Sequence, residues 1–111
     1  GAAIQELAEK EGCSVVRDYV GHGVGAKLHE PPEVRNYGPA GYGVRLAHGM
    51  TLAVEPMICA GQWAVEEESN GWTFSTRDRS LAAHYEHTIA ITDGLPEILT
   101  LPGHTWKEED A

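Results

Sequence analysis

The sequence predicts an α+β domain, with a curved antiparallel sheet and one helix packed on a face. Three observations lead there. Segments with the two-residue period of a strand outnumber those with a helical period. Hairpin-type dipeptides, Asn70-Gly71 and Asp93-Gly94, punctuate the strand segments. Only the opening residues carry a helical pattern, which leaves one helix to cover the sheet.

Residues 1 to about 11 are rich in helix formers, and Ile4, Leu7, Ala8 and Glu11 share a stripe. Gly12 is the stop. Ser14-Val15-Val16 is a short strand, and Tyr19-Val20 leads into a glycine-rich segment. Glu30-Pro31-Pro32 excludes helix and predicts an extended loop. Three glycines and a proline make residues 38–43 an irregular connection. Residues 50–60 predict one strand, with Met50, Leu52 and Val54 on one face and Thr51, Ala53 and Glu55 on the other. A further strand, Trp72-Thr73-Phe74, follows the Asn70-Gly71 turn. Residues 85–92 alternate cleanly, with Tyr85, His87, Ile89 and Ile91 opposite Glu86, Thr88, Ala90 and Thr92, and residues 97–101 form the last strand.

Composition narrows the function. The chain has 111 residues, 41% hydrophobic and 23% charged, as in one folded domain. It opens on Gly1 with the helical pattern already under way, as expected of a piece of a longer protein. Seventeen acidic and 8 basic residues give a net charge of -9. There is no Lys/Arg cluster of the kind that grips a phosphate backbone, so nucleic acid is not an expected partner. The acidic runs Glu66-Glu67-Glu68 and Glu108-Glu109-Asp110 read as a solvated loop and a frayed tail. Cys13 and Cys59 form no Cys-x-x-Cys pair, which supports reduced thiols and a cytoplasmic setting. No apolar run approaches the ~20 residues of a membrane helix, so no membrane partner is expected.

Chemistry concentrates in three short segments: Gly21-His22-Gly23-Val24-Gly25, Val54-Glu55-Pro56-Met57 and Tyr85-Glu86-His87-Thr88. Each offers a metal-ligand side chain among small, apolar or rigid residues. The glycines around His22 clear space for a ligand or a substrate backbone. Glu55 and Glu86 sit in mostly apolar strand segments, where a carboxylate is costly unless paired or metal-bound. One imidazole and two carboxylates can hold a divalent ion and so make water a nucleophile at neutral pH. Two such ions bring four positive charges against two carboxylates, so these segments alone complete only a single-ion site. Mixed imidazole and carboxylate ligation admits Mn, Fe, Co or Zn. His29 can hydrogen-bond a substrate or a developing oxyanion, or be simply an exposed loop histidine. His87 points away from Glu86 in a regular strand, and Arg77 and Arg79 suit turn or salt-bridge roles. Trp63 and Trp106 read as packing residues, and His104 lies in the tail.

Taken in order, Gly21-His22-Gly23-Val24-Gly25, Leu28-His29-Glu30-Pro31-Pro32-Glu33-Val34, residues 49–57 (GMTLAVEPM) and Asp78-Arg79-Ser80-Leu81 before Tyr85-Glu86-His87-Thr88 resemble the C-terminal half of a type I methionine aminopeptidase. The resemblance implies half of a pita-bread fold, with residues 1–102 in the catalytic domain and 103–111 as a tail. It implies two divalent metal ions, with His22, Glu55 and Glu86 as ligands and Glu86 bridging both. Two aspartates from the missing N-terminal half would complete the set. It makes Glu55 the proton acceptor for the attacking water and His29 the catalytic residue that contacts the substrate amide. Leu28 and Trp72 would border the methionine pocket. The expected substrate is the initiator methionine of nascent polypeptides and peptides, and the expected full-length state is a monomer. Leu28 stands where a bulkier aromatic is common, and His48 and His84 where Pro and Gln are usual.

Two rivals share the resemblance. One is a proline-specific aminopeptidase or dipeptidase of the same superfamily, and the other is a non-catalytic pita-bread module that binds peptides or proteins. The residues around Glu86 and Pro31-Pro32 favour the methionine branch over the first. Retention of all three ligands of this half disfavours the second. The isolated 111 residues are expected to be inactive, because part of the site lies elsewhere.

Overall fold

The computed structural model describes residues 1–71 and 73–103. Trp72, expected in a strand and at the pocket edge, lies outside the described residues, as do His104, Trp106 and the acidic run 108–110 of the expected tail.

The chain opens with helix α1 (Ala2–Lys10). Gly12 ends it in the left-handed conformation (φ 78°), and the Cys13 N–H returns to the Ala8 carbonyl at 2.9 Å. Ala2, Ile4, Gln5 and Ala8 are half-buried, whereas Leu7 is exposed and no helical residue is fully buried. The packed stripe is therefore rotated from the expected one. Gln5 explains part of the rotation, since its side-chain oxygen accepts the Gly38 N–H at 2.8 Å and ties that face to the domain.

Strands follow in the order β1 (Ser14–Val15), β2 (Gly21–Gly23), β3 (Glu30–Val34), β4 (Thr51–Val54), β5 (Met57–Cys59), β6 (Val65–Glu67), β7 (Phe74–Thr76), β8 (Ala82–His84), β9 (His87–Ala90) and β10 (Glu97–Ile98). They form three sheets of order β10-β9-β4-β2-β3, β1-β5-β8 and β6-β7. Every pairing among the described residues is antiparallel. The expected α+β class holds. The core is small: among the described residues Val15, Val16, Leu52, Ala53 and Cys59 are the buried apolar ones, joined by Asn36 and Thr76.

Four local expectations are corrected. Residues 50–60 are two strands, β4 and β5, in different sheets, because Pro56 has no N–H to continue a ladder. The expected 85–92 strand shortens to β9 (His87–Ala90): Tyr85-Glu86 lie outside it, between β8 and β9. Glu30-Pro31-Pro32 is not a loop but the start of β3, an edge strand, where missing N–H groups can be tolerated. The 66–68 run is not a solvated loop: Glu66 and Glu67 belong to β6, and Glu66 and Glu68 reach Arg79 at 3.2 and 3.4 Å.

Candidate metal centre

Leu52 and Ala53 of β4 lie opposite Ile89 and Thr88 of β9, and His22 of β2 lies opposite Ala53. Side chains two apart on a strand share a face, so His22 lies on the same side as Ala53 and, one step diagonally on, Glu55. Glu86 is the residue that would face Glu55 if the β4–β9 register, which ends at Val54 opposite His87, ran one pair further. Both strands leave the five-stranded sheet at this level. Beyond it Met57 pairs with His84 in the three-stranded sheet, and the Tyr85 N–H donates to the Pro56 carbonyl at 3.2 Å. The two carboxylates therefore hang at the seam between two sheets, where the Tyr85–Pro56 bond carries the same register across.

The convergence is measurable. Each of His22, Glu55 and Glu86 offers a ligand atom, and the three atoms lie within 4.8 Å of one another. His22 Nε2 is 3.3 Å from Glu55 Oε2, with side-chain exposures of only 14% and 15%. Glu86 is exposed. His22 Nδ1 lies 2.9 Å from the Gly23 carbonyl oxygen, which can only accept, so Nδ1 carries a proton. In the neutral ring the lone pair is then on Nε2, aimed at a carboxylate. Two acceptors at that distance need a proton or a cation between them. The donor set therefore fits a divalent cation, with a backbone carbonyl orienting the imidazole as in many metal sites.

Gly21 and Gly23 are required by the sheet itself. A side chain on Gly21 would run into the Ala53 carbonyl, and one on Gly23 into the Pro31 carbonyl. Neighbouring strands approach so closely on both sides that only His22 can carry a side chain here.

His29 ends the loop between β2 and β3 and is exposed, with its ring stacked on that of His22 at 3.9 Å between centroids and 37° between planes. A cavity of about 450 Å³ runs from His22 and His29 along β3 to Glu33. Leu28, 74% exposed, lies in the same loop. His87 accepts or donates at Thr100 Oγ1 over 2.7 Å and meets Tyr85 edge-on at 5.0 Å, away from the cluster as expected. His48 pairs with Asp93 at 3.1 Å on the surface, and His84 is exposed.

Sequence reasoning missed one neighbour. Asn36, fully buried, directs its amide nitrogen to the Glu55 carbonyl at 3.5 Å, a long contact, and its Oδ1 has no hydrogen-bond partner among the described residues. Further out, Asp78 is held below the usual carboxylate range, first by the Gln62 N–H at 2.7 Å and then by Ser80. The Cys59 thiol is pushed up, mainly by burial, then by the charge of Asp78 and by Cys13.

Comparison with known proteins agrees with this arrangement. The chain is 60% identical over 99 residues to a methionine aminopeptidase of Clostridium acetobutylicum, covering 89% of this chain and 40% of that protein. It is 52% identical over 101 residues to the methionine aminopeptidase of Escherichia coli K12, covering 91% and 38%. Crystal structures of methionine aminopeptidases from Thermotoga maritima and Rickettsia prowazekii superpose with TM-scores of 0.85 and 0.86 at 57% and 51% identity. They cover 87% and 89% of this chain and 39% and 40% of theirs. The chain thus spans about 40% of the length of these relatives, and its α+β architecture is the matching portion of their pita-bread fold. The model of metallopeptidase family M24 matches residues 1–93, and the chain belongs to that family.

Proposed function

We propose that the protein carrying this chain is a methionine aminopeptidase, which hydrolyses the peptide bond after an N-terminal, initiator methionine. The observation that carries the reading is the meeting of His22, Glu55 and Glu86 ligand atoms within 4.8 Å, in a chain 60% identical to a methionine aminopeptidase. His22, Glu55 and Glu86 would hold two divalent ions (Co, Mn, Fe or Zn), with the remaining carboxylates supplied by segments outside this chain. Such ions, when bound, supply Lewis acidity that lowers the pKa of water from ~16 toward ~7.

The chain's own residues then divide the work. Glu55 takes the proton released by the attacking water, a role suited to a carboxylate that is partly shielded and whose strand ends beside it. His29, stacked on His22, reaches the scissile amide and steadies the charge that develops on its oxygen. Leu28, in the same loop as His29, would border the methionine side chain. The proposed enzyme is a cytoplasmic monomer that acts on nascent chains; among the described residues no helix is long and apolar enough to cross a membrane.

Full-length protein should cleave Met-Ala-Ser in preference to an Ala-Pro peptide and should carry transition metal by elemental analysis. Glu55→Gln should cut turnover by roughly 10²- to 10⁴-fold, the range of a lost general base, with the circular dichroism spectrum unchanged. Preference for the Ala-Pro peptide would move the protein to a proline-specific activity. Full turnover in the glutamine variant would remove Glu55 from the proton transfer.

A further inference from the structure

The loop that ends in His29 has two anchors. At its start, Val24 is tied to β4 twice: its N–H donates to the Thr51 carbonyl at 2.9 Å, and its own carbonyl accepts the Thr51 hydroxyl. The far end depends on a side chain. Glu30, the residue after His29, folds its carboxylate back over the loop, where Oε2 accepts the Lys27 N–H at 2.7 Å. The Gly25 N–H donates to the Lys27 carbonyl at 3.0 Å and closes the same turn. Room for the carboxylate comes from Gly25. A Cβ there would lie 2.6 Å from Glu30 Oε1 and 2.8 Å from Oε2, inside contact distance of both.

We propose that Glu30 is a positioning residue: its carboxylate, seated over Gly25 and holding the Lys27 N–H, sets the loop so that the His29 imidazole stays stacked on His22 and faces the reacting amide. The inference rests on the aminopeptidase reading for what His29 does, and on the hydrogen bonds alone for how His29 is held. The physical reason is local. A six-residue loop with Gly25 and Ala26 in it has little side-chain packing of its own, and His29 is exposed. One charge-assisted hydrogen bond from Lys27 to Glu30, spanning the turn that carries His29, then restricts the backbone freedom that would let the ring swing away. Catalysis loses sharply when a reacting group is displaced by an ångström, so a residue that touches no substrate can still govern turnover.

The test is a double-mutant cycle in the full-length protein, read both by Met-Ala-Ser hydrolysis and by NMR of the histidine rings. Glu30→Ala should lower kcat about tenfold, the factor one charge-assisted hydrogen bond supports, with bound metal unchanged. Glu30→Gln keeps an oxygen acceptor and should recover most of the loss. Gly25→Ala should reproduce the Glu30→Ala loss, because its methyl displaces a flexible carboxylate rather than backbone. In a His29→Ala background, Glu30→Ala should have almost no further effect. The His29 ring protons should lose the shift due to stacking on His22 in Glu30→Ala and keep it in Glu30→Gln. An undiminished tenfold effect of Glu30→Ala without His29, or unchanged His29 ring shifts in Glu30→Ala, overturns the proposal. If the wild type cleaves no Met-Ala-Ser, the aminopeptidase reading fails, and the ring shifts still decide whether Glu30 sets His29.

Discussion

At the scale of single residues, the site depends on three side chains and on what their neighbours lack. His22→Ala removes the only imidazole of the cluster, and elemental analysis of the full-length variant should show less bound metal. Gly23→Ala acts on the same strand through sterics, since its new methyl meets the Pro31 carbonyl, a backbone atom that cannot swing aside. Overpacking of this kind costs about 1–3 kcal/mol, to be read as a lower urea midpoint. The identities of His22, Glu55 and Glu86 were legible in the sequence, because carboxylates in apolar strand segments and a His between glycines demand a reason. The reason given for the glycines was not the whole one. They make room for the Ala53 and Pro31 carbonyls of adjacent strands, and no one-dimensional pattern says which strand lies alongside. Asn36 and Glu30 were illegible for a related cause. Their partners are backbone groups, the Glu55 carbonyl and the Lys27 N–H, which every residue carries and no sequence distinguishes.

At the scale of elements, the sequence located the strands but not where they change sheet. The alternation in 50–54 and 85–92 marks strands although Leu52 and Ala53 are both buried, and periodicity cannot reveal that Glu55-Pro56 and Tyr85-Glu86 break opposite one another, joined by the Pro56–Tyr85 bond. The β6–β7 hairpin shows the same limit. Its Asn70-Gly71 turn was evident, with Gly71 at φ 82°, but its strands are fastened by Arg79, itself in the left-handed region at φ 61°. Arg79 reaches Glu66 and Glu68, and the Ser75 hydroxyl donates to Glu68 at 2.6 Å. That hydroxyl first, and Arg79 after it, hold the Glu68 carboxyl below its ordinary range, as Gln62 and Ser80 do for Asp78. A carboxyl depressed in the folded state contributes stability above its unfolded pKa and loses it as pH falls through the folded value. The urea midpoint should therefore decline as pH drops below the ordinary carboxylate range. The decline should be shallower in Ser75→Ala, where Glu68 loses its principal partner.

At the scale of the whole molecule, 111 residues spread over 47 × 33 × 27 Å with a radius of gyration of 15.4 Å, against about 13 Å for a compact chain of this length. Leu28, Tyr42, Leu81, Tyr85 and Leu95 are each about two-thirds exposed or more, and among the described residues five small or medium apolar ones form the buried core. So thin a core supports little stability on its own. Expressed alone, residues 1–111 should bind the dye ANS and release no methionine from Met-Ala-Ser, whereas the full-length protein should do the reverse. One member of that core has a use of its own. Cys59 is 1% exposed, with its sulfur kept in the unreactive, protonated form, while Cys13 is only partly covered. An alkylating reagent should mark the second at once and the first only when β1 parts from β5. The pair is thus a native stopwatch, able to time the opening of the inner strands without any added label.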